Sequence, residues 1–342
     1  MIIKEIIEQE QFSDSSKKHQ KKILRFDNYK QRTTNLSKLI MSDKDRYWRM
    51  HEGKFPKVHS LMDCHSYMLF RNYYEKNKIK LYQAYSCDMH LLCPCCAVRR
   101  ASKQYAVYYK KFLELKKQHP KLKLYYLVLT IKDGEDLAER YKHLDECFKK
   151  IQKRRRDALY YSSHPKSKKS AYAKNSMFAD VIAGAYSVEI KRGENSELWH
   201  PHVNFLLVTE KKIDYKSAQK EWERITNDSK ILKFNYIKKN QIEKSFCEIF
   251  KYALKFEEMN FEDNYYAWET LRGKRLLGSF GEFRGLKVDE NNVSNEDLGN
   301  FVELFYEFNG ERYILIPEKP EKDVKMALKP EIVDFGNIIN TS

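Results

Sequence analysis

Two apolar runs, Val181–Ile190 and Val203–Thr209, flank the turn-like stretch Arg192-Gly-Glu-Asn-Ser196. Each run has strand length, and a short turn between them sends the chain back on itself, so the pair reads as an antiparallel hairpin. A hairpin with faces this apolar needs further strands or covering helices to be stable. Candidates stand on both sides. Leu122–Thr130 (Leu-Lys-Leu-Tyr-Tyr-Leu-Val-Leu-Thr) has the character of a buried strand, and Leu137, Tyr141, Leu144, Phe148 and Ile151 follow helical spacing. Tyr215, Ala218, Trp222 and Ile225 mark a second helix face, Leu232–Ile237 a further strand, and Ile242–Met259 a further helix. The order strand, helix, hairpin, helix, strand, helix predicts an α+β fold with a central antiparallel sheet flanked by helices. Upstream, helices are expected around Asp43–Met50 and from Arg99 to about Gln118, with an aromatic and basic stretch at Leu61–Lys80. The expected organisation is a polar, helical segment (1–58), a cysteine-bearing module with its helix (59–118), the sheet domain (119–286) and an acidic C-terminal segment with a strand (287–342).

The chain of 342 residues carries a formal charge of +16, unevenly spread. Residues 287–342 hold 12 acids and 6 bases, so the rest of the chain carries +22. A body this basic favours a polyanionic partner, although lysine-rich surfaces also serve solubility. Between Lys149 and Lys174 there are ten Lys/Arg and one acid, with Tyr160, Tyr161 and Tyr172 interleaved. No run approaches the ~18 apolar residues of a membrane span, so no membrane partner is expected. The N-terminal stretch has acids within its apolar residues and lacks a signal-peptide core, which predicts a cytoplasmic location.

Four of the seven cysteines fall within residues 87–96. Disulfides are rare in the cytoplasm, and clustering points to metal. Cys64, Cys87, Cys93 and Cys96 make a four-thiolate set of the kind Zn²⁺ takes tetrahedrally, and a closed site of this sort is structural. Cys95 is a bystander in this reading, and His65 or His90 could replace a ligand. Buried free thiols are the alternative.

His200-Pro-His202-Val-Asn204 opens an apolar strand. Alternate residues share a face, so His200, His202 and Asn204 can point together, and Glu189 on the neighbouring strand can join them. Such a set could hold Mg²⁺ or Mn²⁺; a histidine pair at a strand entrance can equally be surface decoration. On the expected helix Ile242–Met259, Phe246, Ile249, Phe250, Ala253 and Phe256 form one face, and Glu248, Lys251, Tyr252 and Lys255 the other. Lysines near Tyr252 would favour its phenolate and attract a phosphate. A solvated Glu–Lys stripe would look the same in sequence.

Taken in order, these stretches resemble the Rep initiators of rolling-circle plasmids of Gram-positive bacteria, within the HUH endonuclease superfamily. The resemblance covers about residues 45–315. Cys64 with Cys87-x5-Cys93-Pro-x-Cys96 and Ala-Val-Arg-Arg100 is similar to the family's cysteine module, and Tyr126-Leu-Val-Leu-Thr130 to its first strand motif. Tyr186-Ser-Val-Glu189 with His200-Pro-His202-Val-Asn204-Phe-Leu-Leu207 resembles its metal-binding hairpin, and Glu248-x-x-Lys251-Tyr252-x-x-Lys255 its nucleophile helix. Leu271-Arg-Gly-Lys-Arg-Leu276 with Gly281, and Phe308-Asn-Gly-Glu-Arg-Tyr-Ile-Leu315 as a terminal strand, complete the series. One departure stands out: Asn204 occupies the last position of the family's His-Pro-His-x-His. An amide oxygen suits Mg²⁺ or Mn²⁺ better than a softer metal, so reduced metal affinity is expected, with His200 able to take up ligation.

The resemblance implies a sheet of the HUH type and a structural Zn²⁺ at Cys64, Cys87, Cys93 and Cys96. It also implies a catalytic Mg²⁺ or Mn²⁺ at His202, Asn204 and Glu189. Tyr252 would cut one strand of plasmid origin DNA at a single-stranded nick site, leaving a 5′-phosphotyrosine and a 3′-OH primer. Lys251 and Lys255 would offset charge, and Glu248 would activate water to end the round. A host helicase and polymerase are the implied partners, and a homodimer is compatible with this reading. A relaxase or transposase of the same superfamily, and a non-catalytic zinc-containing DNA-binding regulator, are the competing expectations.

Overall fold

The computed structural model describes residues 14–51, 58–164, 176–193, 196–251, 253–288, 299–316 and 329–330. The fold is α+β with antiparallel sheets, built as two five-stranded sheets rather than one. The chain divides into two units, Met1–Lys103 with Asp289–Ser342, and Gln104–Val288.

In the first unit, β1 (Tyr67–Tyr73) and β2 (Lys78–Ala84) form a hairpin closed at Asn77, whose left-handed φ of 51° is one that asparagine tolerates. Strands β8 (Val302–Phe308) and β9 (Tyr313–Ile316) extend the same sheet, with Met68 opposite Tyr306, and β10 (Lys329–Pro330) caps its other side. The stretch 308–315, expected as one strand, is the turn and flanks of this β8–β9 hairpin, because Asn309 accepts from Glu311 N and Arg312 N and reverses the chain. Helix α1 (Asp14–Ser42) precedes the sheet and was not evident in the sequence. Its buried stripe mixes Phe26, Leu36 and Ile40 with Lys30, Thr33 and Ser37, so the apolar period is broken. The two hydroxyls are satisfied by carbonyls one turn back, Thr33 on Tyr29 O at 2.8 Å and Ser37 on Thr33 O at 2.8 Å. Helices α2 (Lys44–His51) and α3 (Val58–Asp63) follow. Helix α4 (Pro94–Gln118) belongs to this unit up to Lys103 and to the second from Gln104.

The second unit is the predicted sheet, in the order β6 (Leu232–Tyr236), β3 (Lys123–Thr130), β5 (Trp199–Thr209), β4 (Val181–Arg192), β7 (Leu277–Gly281). Strand alternation sends Ala183, Ala185, Leu206 and Val208 to one face. There they meet Tyr108, Phe112 and Leu115 of α4, together with Phe246, Ile249 and Phe250 of α7 (Ile242–Phe250). The opposite face presents Phe205 to Phe148 of α5 (Leu137–Ser163) and to Phe178, at ring distances of 5.9 and 5.3 Å. Helix α5 starts where the Asp136 carboxylate accepts from Ala138 N and Glu139 N, a cap worth ~1 kcal/mol. Helix α6 (Tyr215–Thr226) seats Trp222 against the end of β3, its indole N–H donating to Thr130 O at 2.7 Å. Helix α8 (Phe261–Leu271) ends at Gly273, whose φ of 74° lets the chain turn into β7.

One expectation needs correction. The helix predicted over Ile242–Met259 stops at Phe250, and Lys251 is extended (φ −55°, ψ 175°). The backbone beyond it pairs with β4 instead: Ile190 N donates to Ala253 O at 2.8 Å, and Ile190 bridges Leu254 in parallel. A free strand edge outcompetes continued helix, so Lys251 and Lys255 are not on one helical stripe with Glu248.

Candidate active site

The hairpin register places the site. Glu189 lies opposite His202 and Ser187 opposite Asn204, so Glu189, His202 and Asn204 share the face covered by α4 and α7. All three are largely buried. His202 Nε2 stands 3.5 Å from Glu189 Oε2, and Asn204 Nδ2 donates to the same oxygen at 3.1 Å. The other carboxylate oxygen meets Lys255 Nζ at 3.4 Å. Burial pushes the Glu189 carboxyl up, but the His202 hydrogen bond and charge, the Lys255 ammonium and the Asn204 amide outweigh it and hold it at about 2. Glu189 is thus a carboxylate throughout the physiological range.

The donors fit a divalent cation. Two ligands ~2.1 Å from a Mg²⁺ sit about 3 Å apart across an octahedral edge, near the observed His202–Glu189 spacing. The carboxylate and carboxamide oxygens suit Mg²⁺ or Mn²⁺, and the imidazole nitrogen favours Mn²⁺ of the two. His202 Nδ1 is buried with no hydrogen-bond partner among the described residues. Asn204 is held at both ends, since Tyr126 OH donates to its Oδ1 at 2.9 Å. For Oδ1 to face Glu189 the amide must turn over. A hydroxyl can accept as well as donate, so Tyr126 supports either orientation. Burial, with the charges of Glu189 and Glu248, pushes the Tyr126 phenol up and keeps it protonated.

His200 is placed differently from His202. Its Nδ1 meets Asp133 Oδ1 at 2.6 Å, and Ser196 Oγ donates to Asp133 Oδ2 at 3.1 Å. The Asp133 loop is locked to β5 by paired bonds between Gly134 and Trp199, of 3.1 and 2.8 Å. Asp133 therefore fixes the imidazole through one nitrogen and leaves Nε2 for a ligand, with the rings of His200 and His202 5.4 Å apart. Neither Asp133 nor Tyr126 was foreseen as a site residue. They reach His200 and Asn204 across 67 and 78 positions of sequence, and no local pattern marks them.

Glu248 lies in the last turn of α7 and pairs with Lys251 Nζ at 2.8 Å. Lys251 and Lys255 thus each hold a carboxylate, Glu248 and Glu189 respectively. Tyr252 lies outside the described residues. So do 165–175 of the basic tract, Tyr172 among them; Tyr160 is exposed and stacks on His164 at 4.2 Å.

In the first unit, Cys64, Cys87, Cys93 and Cys96 are buried with their sulfurs within 4.8 Å of one another. Sγ distances of 3.5 Å join Cys64 to Cys96, Cys87 to Cys96 and Cys93 to Cys64. Ligands at 2.3 Å around a tetrahedral Zn²⁺ would be about 3.8 Å apart. The cluster can therefore close on a metal with little movement. Cys95 stands outside that group and His90 is beside Arg100, whereas His65, stacked on Phe26, brings its Nδ1 to 3.3 Å from Cys64 Sγ at the edge of the cluster. Burial pushes the Cys64 and Cys87 thiols up, whereas at Cys93 hydrogen bonds from the neighbouring thiols overcome burial and pull the thiol down. Lys30 of α1, itself buried, donates to Cys64 O and Ser66 Oγ at 2.9 Å and braces the Cys64 loop with a positive charge.

Comparison with known proteins adds independent evidence. The model of a replication protein family, Rep_1, matches residues 78–314, a stretch that contains the hairpin, α7 and three of the four clustered cysteines. A protein named "Protein rep" from Streptococcus pneumoniae serotype 2 is 27% identical over 247 residues, covering 66% of this chain and 70% of its own. "Protein rep" of a Bacillus species is 26% identical over 283 residues (72% and 85%), and that of Bacillus amyloliquefaciens 24% over 283 residues (72% and 77%). No solved structure matches the chain significantly. No helix among the described residues is long and apolar enough to cross a membrane.

Proposed function

The chain belongs to the Rep_1 family of replication proteins, and from that premise we propose that it initiates rolling-circle replication of a plasmid by nicking one origin strand. The observation that carries the reading is the buried Glu189–His202–Asn204 cluster with Lys255 beside it and the Glu248–Lys251 pair at the adjoining end of α7. In this reading the second unit is an HUH-type nicking domain.

His202, Glu189, Asn204 and His200 would hold a Mg²⁺ or Mn²⁺, which would supply Lewis-acid polarisation of a phosphate. The chain's own residues do the rest. Tyr252 gives up its phenolic proton to solvent, and its oxygen bonds to phosphorus as the bond from phosphorus to O3′ breaks. O3′ leaves, takes a proton and becomes the primer end, while the 5′ phosphate stays on the tyrosine. Lys251 and Lys255 stabilise the charge that builds on the phosphate oxygens. At termination Glu248 takes a proton from water, whose oxygen displaces the tyrosine from phosphorus. The four thiolates hold a structural Zn²⁺ in the first unit.

The test is cleavage of labelled single-stranded oligonucleotides tiled across the replicon that encodes the protein. Cutting at one position, dependent on Mg²⁺ or Mn²⁺ and lost in His202→Ala, is the expected result. Full activity of His202→Ala in chelator would overturn the metal assignment.

A further inference from the structure

The face of the second sheet opposite Glu189 and His202 carries a cavity of about 260 Å³. Its floor is Val188 and Val203, a cross-strand pair one register step from Glu189 and His202, so cavity and candidate active site lie back to back on the same two strands. The walls are aromatic. Tyr141 and Tyr186 are buried, and Phe148 stands against Tyr186 with ring centroids 4.5 Å apart and planes inclined at 54°. Gly278 sits opposite Tyr186, and a Cβ there would lie 2.5 Å from the Tyr186 hydroxyl, so that glycine is what lets the phenol occupy its place. The mouth is charged: Arg275 and Lys149 are exposed, and Lys149 pairs with Asp145 at 2.6 Å.

The edge of β4 links this cavity to the chemistry. Val188 N donates to Leu276 O at 2.7 Å, and two residues further on Ile190 N donates to Ala253 O at 2.8 Å. Two strand residues span ~7 Å. Arg275, next to Leu276, and the segment that carries Lys251 and Lys255 therefore follow one another along a single strand edge. A DNA strand leaving the Lys255 side reaches the cavity mouth by rounding the Ala253 and Leu276 segments that cover this edge.

The chemistry of the cavity selects its occupant. Its volume lies just under the ~300 Å³ at which pockets for drug-sized ligands begin, which suits a single base. Tyr141, Phe148 and Tyr186 line the cavity with the aromatic surface on which bases pack, and a carboxylate at the mouth accepts from a base N–H while disfavouring a bare anion inside. The two cations beside it are placed for the phosphates that remain outside.

We propose that this cavity takes one unpaired base of the DNA strand being cut, close to the scissile phosphate, with Arg275 and Lys149 on the flanking phosphates. The assignment rests on the reading of the protein as a single-strand nicking enzyme. The cavity thereby fixes the register of the strand across the sheet and selects extruded over paired DNA.

The test uses the full-length protein and fluorescein-labelled dT15. Anisotropy gives the affinity, and versions carrying one 5-iododeoxyuridine at successive positions are photocrosslinked to the wild-type chain and mapped by mass spectrometry. The wild-type crosslinks need no variant to fold. They are expected to fall within residues 141–149 or on Tyr186. Phe148→Ala should weaken dT15 binding ~5- to 150-fold, the equivalent of one base-stacking contact. Arg275→Ala, on the exposed mouth, should weaken it and reduce its salt dependence. If the wild type binds dT15 but crosslinks elsewhere, and Arg275→Ala binds as well as wild type, the pocket is refuted and the nicking reading stands. If the wild type binds no single strand at all, both are refuted.

Discussion

Asp133→Asn perturbs the candidate site without touching any of its expected metal donors. The variant keeps side-chain shape and the Ser196 contact but removes the charge that faces His200 Nδ1 at 2.6 Å. A hydrogen bond to a charged group contributes ~1.5–3 kcal/mol. Both side chains are about a quarter exposed (24% and 27%), so the lower end of that range applies. About 1.4 kcal/mol is tenfold in affinity, matching the 10–100-fold that second-shell partners of metal-bound histidines typically contribute. We therefore expect Asp133→Asn to weaken Mn²⁺ binding ~10-fold, followed by electron paramagnetic resonance titration in the absence of DNA. The melting temperature of the metal-free protein should fall by only a few degrees, since the pair is partly solvated. His200→Ala should weaken binding by at least as much, and the double variant should add little to it. If His200→Ala loses affinity while Asp133→Asn binds Mn²⁺ like wild type, the orienting role of Asp133 is wrong. If neither loses affinity, His200 is no ligand.

Cys93→Ser should leave the protein without tightly held zinc by elemental analysis, and each ~1 kcal/mol of stability lost with the metal lowers Tm by about 2–4 °C. Burial, with Lys22 nearby, holds His19 at about 4, so the native state resists a proton that the unfolded chain takes near 6.5. His19 thus costs stability as pH falls from 6.5 towards 4, by up to ~3 kcal/mol, and His19→Phe should flatten urea-unfolding free energies over that window by the same amount. An unchanged slope would show that His19 protonates freely in the fold. Glu248→Ala should still cut once and form the covalent adduct, with hydrolytic release slowed ~10²–10⁴-fold in single-turnover assays.

The parts of the fold that follow from local pattern were legible. The β4–β5 hairpin and β3 stand out as apolar runs of strand length, and α5 and α6 as helical periods; most of their expected core residues are buried, but Tyr215 is exposed and Phe148 only half-buried. Helix α1 was hidden because half its buried stripe is Lys30, Thr33 and Ser37. Helix α7 was drawn too long because Lys251, Ala253 and Leu254 are sound helix formers that continue the apolar period, while the edge of β4 that captures their backbone is sixty residues away in sequence. The joining of β8 to β1 spans more than two hundred residues and has no local signature. At the site, strand alternation was enough to bring His202, Asn204 and Glu189 together. The groups that aim them, Tyr126 and Asp133, come from β3 and the turn after it and were visible only once the register was known.

In the proposed mechanism Tyr252 takes the phosphate. The most direct measurement incubates the protein with its cut oligonucleotide and Mn²⁺, isolates the covalent protein–DNA complex and locates the modified residue by mass spectrometry. A single phosphotyrosine at Tyr252 is expected, with no complex from Tyr252→Phe although that variant still binds the strand. A complex that persists in Tyr252→Phe, or that maps to another residue in the wild type, would contradict it.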